Sequence, residues 1–250
     1  MKTNLNFINI RCSIFVPKVA YNNDNLTKMM SAFPNFLPST VQIPPIPLLG
    51  LPIIQQDLAN QPWQLTSADK QKCITFFDDK IDIVINHEGV KYEKTVLESI
   101  SADCFSMFEK IINAFGFTSV RLAIAPMLRI PFMENGNSKK YDFLNKVYAL
   151  NKFEDAQVDN CDFSQVFRIN KELNNKTYLI NHLTKFSTDV CNTIIDNKII
   201  STEFLNIALD INTFVDPTYN MDVEDLRDFY SKSPTWCDDI VNFYFTNGHE

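Results

Sequence analysis

The stretch FFDDKIDIVINHEGVKYEKTVLESISADCFSMFEKIINAFG, residues 76–116, decides the fold because its apolar period changes partway along it. In the first part Ile81, Ile83 and Ile85 alternate with Asp82 and Val84, the two-residue repeat of a strand. In the last part Leu97, Ile100, Cys104, Phe108, Ile111, Ile112 and Phe115 recur at spacings of three and four. That is the repeat of a helix with one apolar face. Thr95 and Glu98 read as a capping box at its start, and Gly116 as the left-handed residue that stops it. We read residues 73–86 as one strand with a bend at Asp78 and Asp79, its outer face solvated, followed by a tight turn at 87–89.

Working outward, FINIRCSIFV (7–16) sets Ile8, Ile10, Cys12, Ile14 and Val16 on one face and Phe7, Asn9, Arg11, Ser13 and Phe15 on the other. One apolar and one partly polar face suits a half-buried strand of an antiparallel sheet. Asn25 is the expected cap of a short helix that Pro34 closes, and Pro38, Pro44, Pro45, Pro47 and Pro52 turn residues 36–56 into an extended crossover rather than a helix or central strand. PWQLTSADK turns at 67–70, and TSVRLAIAPML (118–128) returns as a strand after the long helix.

The second part continues with a helix capped by Ser138, and strands near 158–169, 176–186 and 203–213, the first two joined by a turn at Asn174 and Asn175. Leu205, Ile207, Leu209 and Ile211 alternate against Asn206, Ala208, Asp210 and Asn212, leaving one wet face. Asp222 caps a helix, and Ser233 with Pro234 reads as the cap and first residue of a second helical piece. The expected fold is α+β, with largely antiparallel sheet packed on long amphipathic helices. It divides into an N-terminal half (1–132) and a C-terminal acidic half (133–250), each with strands and a long helix, forming one compact unit.

Charge separates these halves. The chain of 250 residues carries −7, yet residues 1–130 sum to +1 and residues 131–250 to −8. An acidic half repels phosphate backbones and anionic lipid, which argues against nucleic-acid and membrane partners. It suits a protein partner with a basic surface. The six cysteines lie 30 or more residues apart, without zinc spacing, and no segment is an unbroken apolar span or signal peptide, so a reducing cytoplasm is the expected setting.

The chemistry-bearing residues converge weakly. Asp78, Asp79, Asp82 and Glu88 are the candidates for a metal-dependent nuclease, but such sites place Glu and Lys two apart on one strand face, whereas Glu88 and Lys91 are three apart. His87 reads as a turn residue, His182 as a core or half-buried residue satisfied by a neighbour, and His249 as part of the tail. The five glycines are isolated, so phosphate-cradling loops are excluded and no cofactor is expected. Arg121 and Arg129 flank an otherwise apolar strand, where they could hold an anion but more commonly edge the sheet. TWCDDIVNFYF supplies the interface candidates Trp236, Asp238, Asp239, Phe243 and Tyr244, although its helical spacing also suits core packing.

FP after the short helix, PWQLTSADK leading to ITFFDDKIDI, VRLAIAPMLRI after the long helix, and the closing LDIN, W and IVNFYF together resemble a sporadically distributed, functionally uncharacterised bacterial family of about this length. The resemblance implies a bacterial cytoplasmic accessory protein near defence or mobile genes. It brings no catalytic residues. The resulting expectation is a non-enzymatic interaction or regulatory subunit of an anti-phage defence or toxin–antitoxin system. A metal-dependent nuclease and a small-ligand sensor, with its pocket between sheet and long helix, are the alternatives.

Overall fold

The structure, a computed structural model, describes residues 4–41, 61–132, 162–195, 198–216 and 218–245. Its strands are β1 (Asn6–Phe15), β2 (Phe36–Thr40), β3 (Trp63–Ser67), β4 (Lys72–Phe76), β5 (Ile81–Asn86), β6 (Arg121–Phe132), β7 (Asp162–Leu173), β8 (Lys176–Ile195) and β9 (Lys198–Thr213). Its helices are α1 (Asn23–Ala32), α2 (Lys94–Phe115) and α3 (Val223–Phe245). The strands form one antiparallel sheet in the order β2-β3-β4-β5-β1-β6-β9-β8-β7. The fold is therefore mixed α+β and dominated by strands, and a single sheet runs through both halves of the chain. The helix expected after Ser138 and most of the proline-rich crossover lie outside the described residues.

The helices line one face of this sheet. Ile10, Cys12 and Ile14 of β1, Ile81 and Ile83 of β5 and Ile124 of β6 are buried there with Leu97, Cys104 and Phe108 of α2 and Leu226, Phe229 and Tyr230 of α3. Near the β2 end, Trp63 stacks on Phe76 with centroids 4.0 Å apart, and its indole N–H donates to the Val19 carbonyl at 2.8 Å. The buried ring thus keeps its polar handle satisfied.

Alternation fails at two places, for identifiable reasons. In β1 a bulge lies between Phe7 and Asn9, so Phe7 enters the core while Ile8 is half-buried, the reverse of strict alternation. One extra residue flips the faces beyond it, and a buried Phe contributes about 1.5–3 kcal/mol. The stretch 73–86 is two strands rather than one, because the Phe77 N–H donates to the Lys80 carbonyl at 2.9 Å and closes a hairpin at Asp78 and Asp79.

The helix ends also differ from expectation. α1 is capped by Asn22, whose side-chain oxygen accepts from the Asn25 N–H at 2.9 Å. α2 starts after Glu93 without a side-chain cap, so the Thr95 and Glu98 box does not form, whereas Gly116 stops it in the left-handed conformation. Asp222 caps α3 by accepting from the N–H groups of Glu224 and Asp225 at 2.9 and 3.0 Å. The helix then continues through Pro234 instead of restarting there. Proline cannot donate to the carbonyl four residues earlier, that of Tyr230. The Ser101 hydroxyl of α2 donates to it instead and ties the two helices together.

Candidate functional site

The acidic residues singled out for a nuclease are held apart. Asp78 pairs with Lys18 at 2.8 Å in the β4–β5 turn, where Asp79 is exposed. Asp82 lies on the helix-free face of the sheet, pairs with Lys80 at 2.7 Å and is only 4% exposed, so it is not the solvated residue that alternation suggested. Glu88 sits beyond the opposite end of β5, which spans roughly 16 Å at about 3.3 Å per residue. Among the described residues no group of three or more His, Cys, Asp or Glu is placed to hold a metal ion.

His87 occupies the turn after β5, with its ring against Phe7. His182 is buried on β8 beneath α3, tilted against Trp236 with centroids 6.0 Å apart. Its Nε2 has no hydrogen-bond partner among the described residues, contrary to the satisfied core histidine expected. Burial, reinforced by the Lys171 ammonium, lowers its pKa below the ordinary 6.5. Cys12, Cys104 and Cys237 are buried free thiols, and burial raises the Cys12 and Cys237 pKa values, which leaves both unreactive.

The aromatic end of α3 divides between core and surface. Trp236 is buried against Phe229 and His182. The Tyr244 ring meets Phe186 and its hydroxyl donates to Gln165 Oε1 at 2.6 Å, tying the last turn of α3 to β7. Asp238 accepts from the Tyr92 hydroxyl at 3.3 Å and from Asn242 at 2.9 Å. Asp239 and Phe243, one turn apart, face solvent.

Arg121 and Arg129 do not edge the sheet, because β6 lies in its interior. Arg121 stacks over Phe15 and donates from Nη2 to Asn212 Oδ1 at 2.9 Å. That oxygen also accepts from Asn181 at 2.9 Å, while Asn212 donates to Asp210 at 2.8 Å. Arg121 Nε and Asn181 Oδ1 are buried without hydrogen-bond partners among the described residues. At the other end of β6, Arg129 stacks over Phe204 and donates to Asn206 Oδ1 at 2.9 Å. Both clusters lie on the helix-free face, where Asn206 and Asn212 are nevertheless buried. The alternation of β9 revealed this face, but nothing in the sequence paired its asparagines with arginines some 80 to 90 positions earlier.

Three of the exposed large apolar side chains fall within four residues of β7, the last strand of the sheet. Val166, Phe167 and Ile169 are 50%, 49% and 40% exposed. Where side chains are described, Phe167 and Phe243 are the two exposed phenylalanines, and the Tyr244–Gln165 bond joins their elements. Compared with models of known protein families the chain matches none, and no curated protein matches it. No helix among the described residues is long and apolar enough to cross a membrane.

Proposed function

We propose that this chain is a non-enzymatic interaction or regulatory subunit that acts by docking another protein, in a bacterial system of the defence or toxin–antitoxin kind. The observation that supports it is the surface where β7 meets the end of α3: Phe167 and Ile169 stand exposed on the strand's helix side, and Phe243 and Asp239 are exposed on the helix. Large apolar side chains grouped at an unpaired strand edge are the pattern of a protein-binding surface. An exposed carboxylate beside them suits a partner with basic residues at its rim.

The test is affinity purification of the full chain from its host, with Phe167→Glu and Phe243→Glu as comparison baits. The expected result is a stoichiometric complex that both variants weaken. A complex indifferent to both variants, or none at all, counts against the proposal. Cleavage of DNA or RNA with Mg²⁺ or Mn²⁺ that disappears in Asp79→Ala overturns it.

A further inference from the structure

We infer that β7 pairs with the β7 of a second copy of this chain, antiparallel about a twofold axis at Val166, joining two nine-stranded sheets edge to edge. This rests on the reading of β7 as an interaction edge and names its occupant.

The strand can pair along its outer side. It runs for 12 residues, contains no proline and, among the described residues, has only β8 as a neighbouring strand. In the two-residue hairpin at Asn174 and Asn175, Leu173 and Lys176 form the closing hydrogen-bonded pair, so Leu173, Lys171, Ile169 and Phe167 turn their backbone groups toward β8. The residues between them, including Val166, Arg168 and Asn170, turn theirs outward. Apolar exposure occurs on both faces of the strand, since Val166 lies on the face opposite Phe167 and Ile169.

Charge on the strand itself is compatible with a second copy. The strand carries Asp162, Arg168, Lys171 and Glu172, a neutral set inside a region that sums to −8. A neutral, balanced edge meets its own copy without net repulsion.

Symmetry and charge exclude the two central registers, and we place the axis at Val166, which opposes no like charges and overlaps nine residues of the strand. A twofold axis normal to the sheet pairs residues whose numbers have a constant even sum. An axis at Arg168 opposes that residue to itself, and an axis at Phe167 opposes Asp162 to Glu172. With the axis at Val166, that residue meets its own copy, Phe167 meets Gln165, Arg168 meets Ser164, Ile169 meets Phe163 and Asn170 meets Asp162. No like charges stand opposite, and Arg168 lies diagonal to Asp162 of the second copy, a carboxylate that holds Lys185 at 3.1 Å in its own chain.

Sedimentation equilibrium on the purified full chain tests this. The expected mass is twice 28.8 kDa. Val166→Lys, at an exposed position, should keep the circular dichroism and melting profile but raise the dimer dissociation constant about tenfold or more. Arg168→Asp should weaken the dimer, and adding Asp162→Arg should restore it; failure to restore overturns the register. A monomer at every attainable concentration, or a dimer that Val166→Lys leaves intact, overturns the pairing. A monomeric wild type whose complex with a different protein is broken by Val166→Lys overturns the second copy as occupant but supports the docking edge. A monomer whose complexes ignore that substitution overturns both.

Discussion

The two ends of the sheet are built on opposite plans. β2 is five residues long, has Pro38 at its centre and leaves Leu37 67% exposed. A proline tolerated at an edge removes a donor that an added strand would use. Behind this short strand, Trp63, Phe76 and Val19 form a satisfied, buried anchor. β7 is twelve residues long, lacks proline and has apolar side chains exposed on both faces. Of the two edge strands only β2 carries a proline, the residue that would withhold a donor from an added strand. On this view β2 terminates the sheet, whereas β7 is kept competent to extend it.

The largest effect should come from removing the anchor behind the blunt end. Trp63→Ala empties a fully buried ring site, strips the Val19 carbonyl of its donor and should cost about 3–5 kcal/mol in urea unfolding. Hydrogen exchange should then show β2 to β4 opening before β7 to β9. Equal loss of protection at both ends breaks the idea that each end has its own support.

Moving the blunting device to the other edge is the next test. Val166→Pro carries the β2 plan to β7, and the Val166 N–H points away from β8, so the intramolecular ladder is spared. Self-association measured by sedimentation should fall about tenfold or more while cooperative unfolding persists. Persistence of the dimer would mean that β7 does not pair through its outer backbone.

Much of this architecture was legible in the sequence. The alternation of Ile81, Ile83 and Ile85, the helix ended by Gly116 and the Asn174–Asn175 turn are local patterns, set by residues that contact their own neighbours. What was not legible depends on distant partners. The continuity of α3 through Pro234 needs Ser101 from another helix to satisfy the Tyr230 carbonyl. Likewise the interior position of β6, and hence the roles of Arg121 and Arg129, follows from strand order, which alternation does not encode. For the candidate site, alternation correctly placed Asp82, Asn206 and Asn212 on the polar face, but could not show that neighbouring side chains bury them. The exposure of Phe167 was equally invisible, because it depends on how little of the edge strand α3 covers.

The support of the β7 end should also be sensitive to pH. His182 lies beneath α3 with its folded pKa below 6.5, chiefly through burial. Between that lowered value and 6.5 the unfolded chain binds a proton that the folded chain does not, so stability is complete above pH 6.5 and is lost as pH falls. Urea midpoints at pH 7.5 and 5.5 should show this loss, and His182→Leu should reduce it; an unchanged difference would place the pH dependence elsewhere. At the start of the same helix, Asp222→Ala removes two backbone bonds and should cost about 1 kcal/mol by thermal unfolding.

The smallest stability change, and the sharpest reading of the two-edge plan, is expected at Pro38. Replacing it with valine restores a donor at an exposed edge and releases some rigidity of the unfolded chain, which should alter stability by no more than about 1 kcal/mol. Pairing competence should change more than stability does. With a valine at position 38 and Leu37 already exposed, the β2 edge gains what β7 has, except length. Five residues give too short a ladder for a defined dimer, so Pro38→Val should produce weak, concentration-dependent association beyond the dimer, seen as a rising weight-average mass in light scattering. Combining it with Val166→Pro should leave only the weak component. If Pro38→Val adds no association, the proline is incidental and length alone blunts that edge, leaving the twelve residues of β7 as the feature that distinguishes the two ends.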